Sequence, residues 1–548
     1  MYKFLLVNAV LFSLALGCAW SEVRLANLFS DDMMLQRDRP IAVWGWAAPG
    51  EAVTVRLGTA MAETTANADG EWQVRLPALK GGEKLTLTVT GTCLRYRVAP
   101  GSSAAPRHGH APPLLTITDT VTSTITLKNL IVGDIWVCSG QSNMEFGVAG
   151  TGSKEDIDSA NFPQIRRVKI ELVRSADPAC DLTRTDARGN WQVCTPATVR
   201  AFTAAGYFFA REIYQQTKVP IGIIDDNWGG TPIEQWLTPS ALAGESKLEY
   251  WNKEHTASLD DYHKKLSLTL AKLEGWIAEA RTALADGTNV PQMPPQPPIP
   301  ATCSLYNAMI HQITRFPIKG ALWYQGEANG GDGDIYTTKM QALIGGWRAA
   351  WKQGDFPFYF VQLATFLPPN ENPAGGDGWA KIRCAQMKAL AIPHTGMASA
   401  IDIGDAGNIH PTNKQDVGKR LALWALARDY GKPGIVPSGP LYQAMKIEGG
   451  KIRLAFDYVG SGLMVGKKDG RQPTVEDPAG KLARFAIAGA DKQWVWANAV
   501  IDDNAVVVSS DKVPNPVAVR YAFTTNTSGA NLYNREGLPA SPFRTDEW

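Results

Sequence analysis

Between Leu130 and Tyr430 apolar runs alternate with helical segments, and several of the runs stop in a glycine-rich or polar turn. Leu130–Val137 leads into Cys138-Ser139-Gly140-Gln141-Ser142, and Val219–Asp225 into Asn227-Trp228-Gly229-Gly230. Ile318–Tyr324 leads into Gln325-Gly326-Glu327-Ala328-Asn329, Phe358–Leu363 follows, and Met397–Asp402 runs on to His410-Pro411. Buried strands separated by helices predict an α/β fold with a parallel sheet. Such sheets gather their ligands at the carboxyl ends of the strands, where these turns converge.

The first turn carries a serine. A serine hydroxyl is a weak nucleophile and needs a general base, with donors for the oxyanion that forms on attack. His410 is the candidate base, because imidazole titrates near neutrality without special help. Ser142 is the candidate nucleophile. Asp402 and Asp405, eight and five residues before the histidine, are the candidate acids to orient it. The oxyanion donors expected are the backbone N–H of Ser142, the Gly229-Gly230 backbone and a side-chain amide from Gln325 or Asn329. Glycine suits the second of these because the backbone has to approach the substrate closely. Gln141 and Glu327, in the same turns, complete the set expected at the oxyanion or the substrate.

Around this core the chain of 548 residues is too long for one domain. Residues 1–21 read as a secretory signal peptide: a cationic Met1-Tyr2-Lys3, an apolar Phe4–Leu16, and Ala19-Trp20-Ser21 before the cut. Cys18 after Ala15-Leu16-Gly17 makes lipid anchoring the alternative. Export, to the outside or to a periplasm, is the expectation, with no later run of transmembrane length. Residues 22–129 carry short alternating strands, such as Ala42–Trp46, Val53–Leu57, Glu71–Leu76 and Leu85–Val89, and read as a β-sandwich-like domain. Residues 130–430 form the α/β domain, with a helical insertion at about 245–300. There Leu259, Tyr262, Leu266, Leu270, Leu273, Ile277 and Ala280 fall at helical steps, and the insertion is either a lid or a buttress. Residues 431–548 read as a second β domain whose last stretch, Leu538–Arg544, runs back along the α/β domain.

Net charge is +1, which gives no reason to expect nucleic acid as a partner. His108-x-His110 lies in an Ala/Pro/Ser/Gly-rich insertion, Ala99–Pro113, and reads as solvated. With no Cys-x-x-Cys spacing, neither a zinc nor a redox site is expected. Cys180 and Cys194 flank a loop-like segment and are the best candidate disulfide pair. Cys138 is expected to pack beneath the serine.

Gly140-Gln141-Ser142-Asn143-Met144, Trp228–Glu234, Trp323-Tyr324-Gln325-Gly326-Glu327 and Ile409-His410-Pro411 resemble, in the same order, the blocks of the sialate O-acetylesterase family, a branch of the SGNH hydrolases. The resemblance implies a three-layer SGNH domain, Ser142 as nucleophile and His410 as base, with the Gln325 segment at the oxyanion. It implies removal of O-acetyl groups from a sugar or polysaccharide without metal or organic cofactor. Acetylxylan or another polysaccharide is the alternative substrate to sialic acid. Two departures stand out: the position three before the histidine is Gly407, and Asn408 stands where relatives often have aspartate. A glycan-binding protein with an inactive central domain is the rival from another class. A lipase-like elbow is disfavoured because Met144 occupies its second glycine position.

Overall fold

The computed structural model describes residues 22–82, 84–98, 115–184 and 189–548. Residues 1–21, expected to be a signal peptide, and the expected His108-x-His110 insertion lie outside these residues.

Among the described residues the largest sheet has eleven strands. At its centre is β1 (Leu115–Gly140). The strands β2 (Phe162–Lys169), β3 (Trp191–Cys194), β4 (Ile221–Asn227), β5 (Gly320–Tyr324), β6 (Phe358–Gln362) and β7 (Thr395–Ser399) complete the path β3-β2-β4-β1-β5-β6-β7. All neighbours on that path are parallel except β3, which runs antiparallel to β2. The sheet as a whole is mixed. The first half of β1 pairs antiparallel with Lys84–Val98, and its second half pairs parallel with β4 and β5. The position where composition divides the chain, 129/130, thus falls inside one continuous strand, at Asn129 with φ 58°.

Alternation along β1 sends Val137 to one face of the sheet and Trp136 and Cys138 to the other, so each face buries its own apolar cluster. On the Trp136 face lie α2 (Ala204–Thr217) and α5 (Lys414–Arg428), packed together through Phe208, Phe209 and Gly418. A methyl at Gly418 would stand 2.5 Å from Phe208 Cβ, so the close helix crossing requires glycine there. On the Val137 face α4 (Ile335–Trp351) buries Met340, Leu343 and Trp347. α5 buries Val417, Leu421, Trp424 and Ala425 against the sheet.

The insertion is α3 (Glu249–Ala285), 37 residues long. It starts earlier than the apolar pattern, at Glu249, and its face differs in part. Leu270 and Ile277 are 52% and 42% exposed, while Thr269, Ala280 and Ala283 are buried. A proline-rich irregular segment returns past it, where Trp276 Nε1 donates to Pro291 O at 2.8 Å.

After Pro440 the chain is β again, in two four-stranded sheets and one three-stranded sheet over a third apolar cluster. Its last stretch does reach the eleven-stranded sheet: Ser541 Oγ meets Gln362 Nε2 of β6 at 2.6 Å.

Cys180 and Cys194 are both free, contrary to the expected pairing. Cys194 is buried at the end of β3, where its thiol donates to Ala160 O, while Cys180 is exposed. Burial pushes the Cys194 and Cys303 thiols up to about 12 and that of Cys384 to about 11. The native protein should therefore show one fast-reacting thiol among residues 22–548, lost in Cys180→Ser. Five more should appear on denaturation. A thiol titration in the presence and absence of guanidinium checks this.

Candidate active site

Ser142 opens the one-turn helix α1 (Ser142–Glu145) that follows β1. Gly140, the last residue of the strand, has φ 131°, and a Cβ there would lie 2.2 Å from Tyr324 O. Glycine is required because β1 and β5 come together where the chain turns. Three further contacts hold the turn. Gln141 N–H donates to Tyr324 O at 3.0 Å, Thr203 Oγ1 donates to Met144 O at 2.5 Å, and Trp228 N–H donates to Gly140 O at 3.1 Å. Cys138 is fully buried below it.

His410 reaches the serine across 268 residues of sequence. Its Nε2 lies 2.8 Å from Ser142 Oγ, the geometry in which a neutral imidazole accepts the hydroxyl proton. The ring stacks near Phe146, with centroids 6.4 Å apart and planes at 30°. Burial, and then the nearby Lys414 ammonium, hold the imidazole below its ordinary value, since both disfavour the charged form.

The candidate acids stand elsewhere. Asp402 is held by Arg420 through two hydrogen bonds of 2.6 and 2.8 Å, with Tyr533 Oη at 3.3 Å. Asp405 turns back on its own loop and accepts from Gly407 N–H at 2.8 Å. Among the described residues no carboxylate is hydrogen-bonded to His410. Asn408 Oδ1 accepts the His410 backbone N–H at 2.9 Å, which shapes the loop but leaves the ring untouched.

The turn after β4 brings Gly230 to the site with φ 73° and open space where a side chain would stand. It is clamped to the serine turn by Glu145, whose Oε2 accepts Gly229 N–H at 2.7 Å. Gln325 and Asn329 are scaffold. Gln325 is fully buried; its Nε2 donates to Thr231 O at 3.2 Å and Asn329 Oδ1 at 2.7 Å, and its Oε1 accepts from Tyr336. Both amide hydrogens of Gln325 are thus taken. Asn329 Nδ2 donates to Glu234 and Asp332, which share the buried Lys339. Gln141 differs. Its Oε1 accepts from Gly326 and Ala328 N–H, and among the described residues its Nε2 has no protein partner.

Glu327 lies behind the serine. Burial pushes its carboxyl up from the usual range; its Oε1 accepts from Asn143 Nδ2 at 2.6 Å. Asn143 Oδ1 accepts from Lys414 Nζ at 2.5 Å, and burial pulls that ammonium down to about 7 against the pull of Glu327. Asn143, Glu145, Phe146 and Lys414 carry no assignment from sequence. Asn143 was within reach, as the neighbour of the nucleophile in the same motif. Lys414 had only its place four residues after the histidine. Among the described residues no cluster of metal-ligating side chains occurs.

A hydroxyl in contact with an imidazole, at the carboxyl edge of the parallel strands of a mixed sheet and beside a glycine turn, is the arrangement that serine hydrolases use. The family model for carbohydrate esterase, sialic acid-specific acetylesterase, matches residues 132–267 and 283–427, breaking off within α3. The chain is 36% identical to a carbohydrate acetylesterase from Xanthomonas citri of known crystal structure, over 96% of this chain and 100% of that one, with a TM-score of 0.74. It is 28% identical to the sialate O-acetylesterase of Rattus norvegicus, over 95% of this chain and 94% of the rat protein. The human sialate O-acetylesterase is 27% identical, over 95% and 92%. The chain belongs to this sialic acid-specific acetylesterase family of carbohydrate esterases, and it is a carboxylic ester hydrolase.

Proposed function

We propose that the protein is an exported esterase that removes O-acetyl groups from sugars through an acyl-enzyme on Ser142. The observation that carries this reading is the 2.8 Å contact between Ser142 Oγ and His410 Nε2. His410 takes the hydroxyl proton as Ser142 attacks the acetyl carbonyl. The tetrahedral oxyanion is met by the N–H groups of Ser142 and Gly230, with Gln141 Nε2 as the nearby side-chain donor. His410 then protonates the departing sugar oxygen, and the acetyl group stays on Ser142. Water, deprotonated by the same imidazole, repeats the attack and releases acetate and the free serine.

With Asp402 and Asp405 engaged elsewhere, the geometry favours a Ser-His pair whose imidazole is set by its surroundings. Helices on both faces of the parallel strands support the three-layer SGNH arrangement, with β-sandwich-like units on either side. The apolar leader of residues 1–21 supports export.

The test is acetate release by the purified chain from acetylated sialic acid, acetylated xylan and p-nitrophenyl acetate, beside His410→Ala. Turnover lost in the variant supports the reading, and the preferred glycan defines the substrate. No release from any of the three, with glycan binding intact, overturns it in favour of a binding protein. The pH profile follows from the imidazole. The base works when neutral, and its folded value is lowered. Activity should therefore persist below pH 6.5, with the acid limb of kcat/KM falling under the ordinary histidine value.

A further inference from the structure

Asn143 follows the nucleophile in sequence, and Ile409 precedes the base. The two are joined directly: Asn143 Nδ2 donates to Ile409 O at 3.0 Å and to Glu327 Oε1 at 2.6 Å, while Oδ1 accepts from Lys414 Nζ. The side chain is 1% exposed, and both of its donor hydrogens are used. An amide in a crowded site has two orientations related by a flip, and here only one is compatible with its partners. Lys414 is 0% exposed, with its ammonium 5.1 and 5.0 Å from the Phe146 and Tyr324 rings, and an ammonium offers no acceptor. It must face the carbonyl oxygen of the amide. Glu327, whose Oε1 accepts, must face the nitrogen. The second N–H is then left pointing at the Ile409 carbonyl.

The loop that carries His410 needs such a tether. Residues 405–408 are exposed, and the position three before the histidine is a glycine. Leu367 N–H holds the far side of the loop at Ala406 O. The near side, adjoining the imidazole, is held by Asn143.

We propose that Asn143 is the positioning residue of the Ser142–His410 pair. By gripping the Ile409 carbonyl it links the serine turn to the histidine loop, and Lys414 and Glu327 fix the direction of its amide. The proposal rests on the serine-esterase reading above. In catalysis a displacement of about 1 Å can cost on the order of 10²-fold in rate, so a tether one residue from each partner is well placed to matter.

The test is a swap of polarity. Asn143→Asp puts an acceptor against Glu327 and against Ile409 O, and should lower both stability and turnover of p-nitrophenyl acetate. Adding Glu327→Gln gives the introduced carboxylate a donor again and keeps its bond from Lys414, but the Ile409 carbonyl still lacks its partner. The double variant should regain most of the melting temperature that Asn143→Asp loses, while its kcat stays about 10²-fold down with KM little changed. Recovery of kcat together with the melting temperature would show that Asn143 is structural filler and overturn the proposal.

Lys414→Met provides a second check that does not depend on the double variant folding. It removes the group that orients the amide, so kcat should fall, and the acid limb should move to higher pH because a cation opposing the imidazolium is gone. The other charged or titratable groups around it are Glu327 on the turn after β5, Tyr324 on β5 and Glu145 on α1, and all remain in place. An unchanged kcat and acid limb in Lys414→Met would also overturn the proposal. Turnover surviving in Ser142→Ala or His410→Ala would instead remove the reading beneath it.

Discussion

Ser142→Ala is expected to lower kcat for acetate release by about 10⁴- to 10⁶-fold, the range found when a serine hydrolase loses its nucleophile. Nothing in the packing should change. The hydroxyl bonds to His410, and alanine is the best helix former for the first turn of α1. The unfolding midpoint should therefore match the wild type. Binding of the acetylated sugar should survive, since the N–H groups of Ser142 and Gly230 are backbone. His410→Ala should cost a similar factor, and the double variant little more, because the two groups act as one unit. Asp402→Asn should behave differently. Its carboxylate holds Arg420, so the expected loss is in stability, with kcat largely kept in whatever folds. A kcat drop in Asp402→Asn as deep as in Ser142→Ala would restore Asp402 as the acid of a triad. Stopped assays of acetate on matched, folded samples separate these outcomes.

The second half of β1 and the strands β4, β5 and β6 were readable because each is a largely apolar run ending at a turn signal, whereas β7 lies at Thr395–Ser399, two residues before the expected Met397–Asp402 run and ending within it. The Ser142–His410 pair was readable for the same reason: both residues sit in such turns. β2 was not. Its sequence Phe162–Lys169 carries Arg166, Arg167 and Lys169, and a pattern search takes three cations for a solvated face. In the fold they are buried against partners distant in sequence: Arg167 and Lys169 on Asp225 of β4, and Arg166 on the backbone of Asp32 and Asn129. Burial of a charge depends on a partner that no local window contains. The same limit explains the site. Asp402 has the right residue type at a workable spacing, but Arg420, one helix later, captures it. Gln325 lies in the expected turn, but Tyr336 and Asn329 consume its amide. Residue type and motif order pointed to the turns that carry the candidate site; the assignment of individual hydrogen bonds required the tertiary partners.

Arg383 should be the costliest single side chain to remove for stability. It is fully buried, and its guanidinium donates to four backbone carbonyls: Leu363 O at 2.8 Å, Ala364 O at 2.6 Å, Thr524 O at 2.5 Å and Thr525 O at 2.8 Å. The first two leave the end of β6, and the last two belong to the C-terminal β region, so one side chain ties the catalytic sheet to that region. Arg383→Met keeps much of the volume and loses every donor. Each buried carbonyl left without a partner costs about 1–3 kcal/mol, and neighbouring losses are not additive, so the expected destabilisation is about 4 kcal/mol or more. Arg383→Lys should recover little, because a point ammonium cannot reach four acceptors spread across a planar fork. The loss should be felt at the seam first. Denaturant unfolding should lose its cooperativity, and limited proteolysis should cut near residues 524–525 before the α/β core opens. If Arg383→Met unfolds with the wild-type midpoint and slope, the C-terminal region is held to the catalytic sheet by its apolar contacts and its other hydrogen bonds, Ser541–Gln362 and Thr527–Ile401 among them, and the guanidinium contributes nothing net.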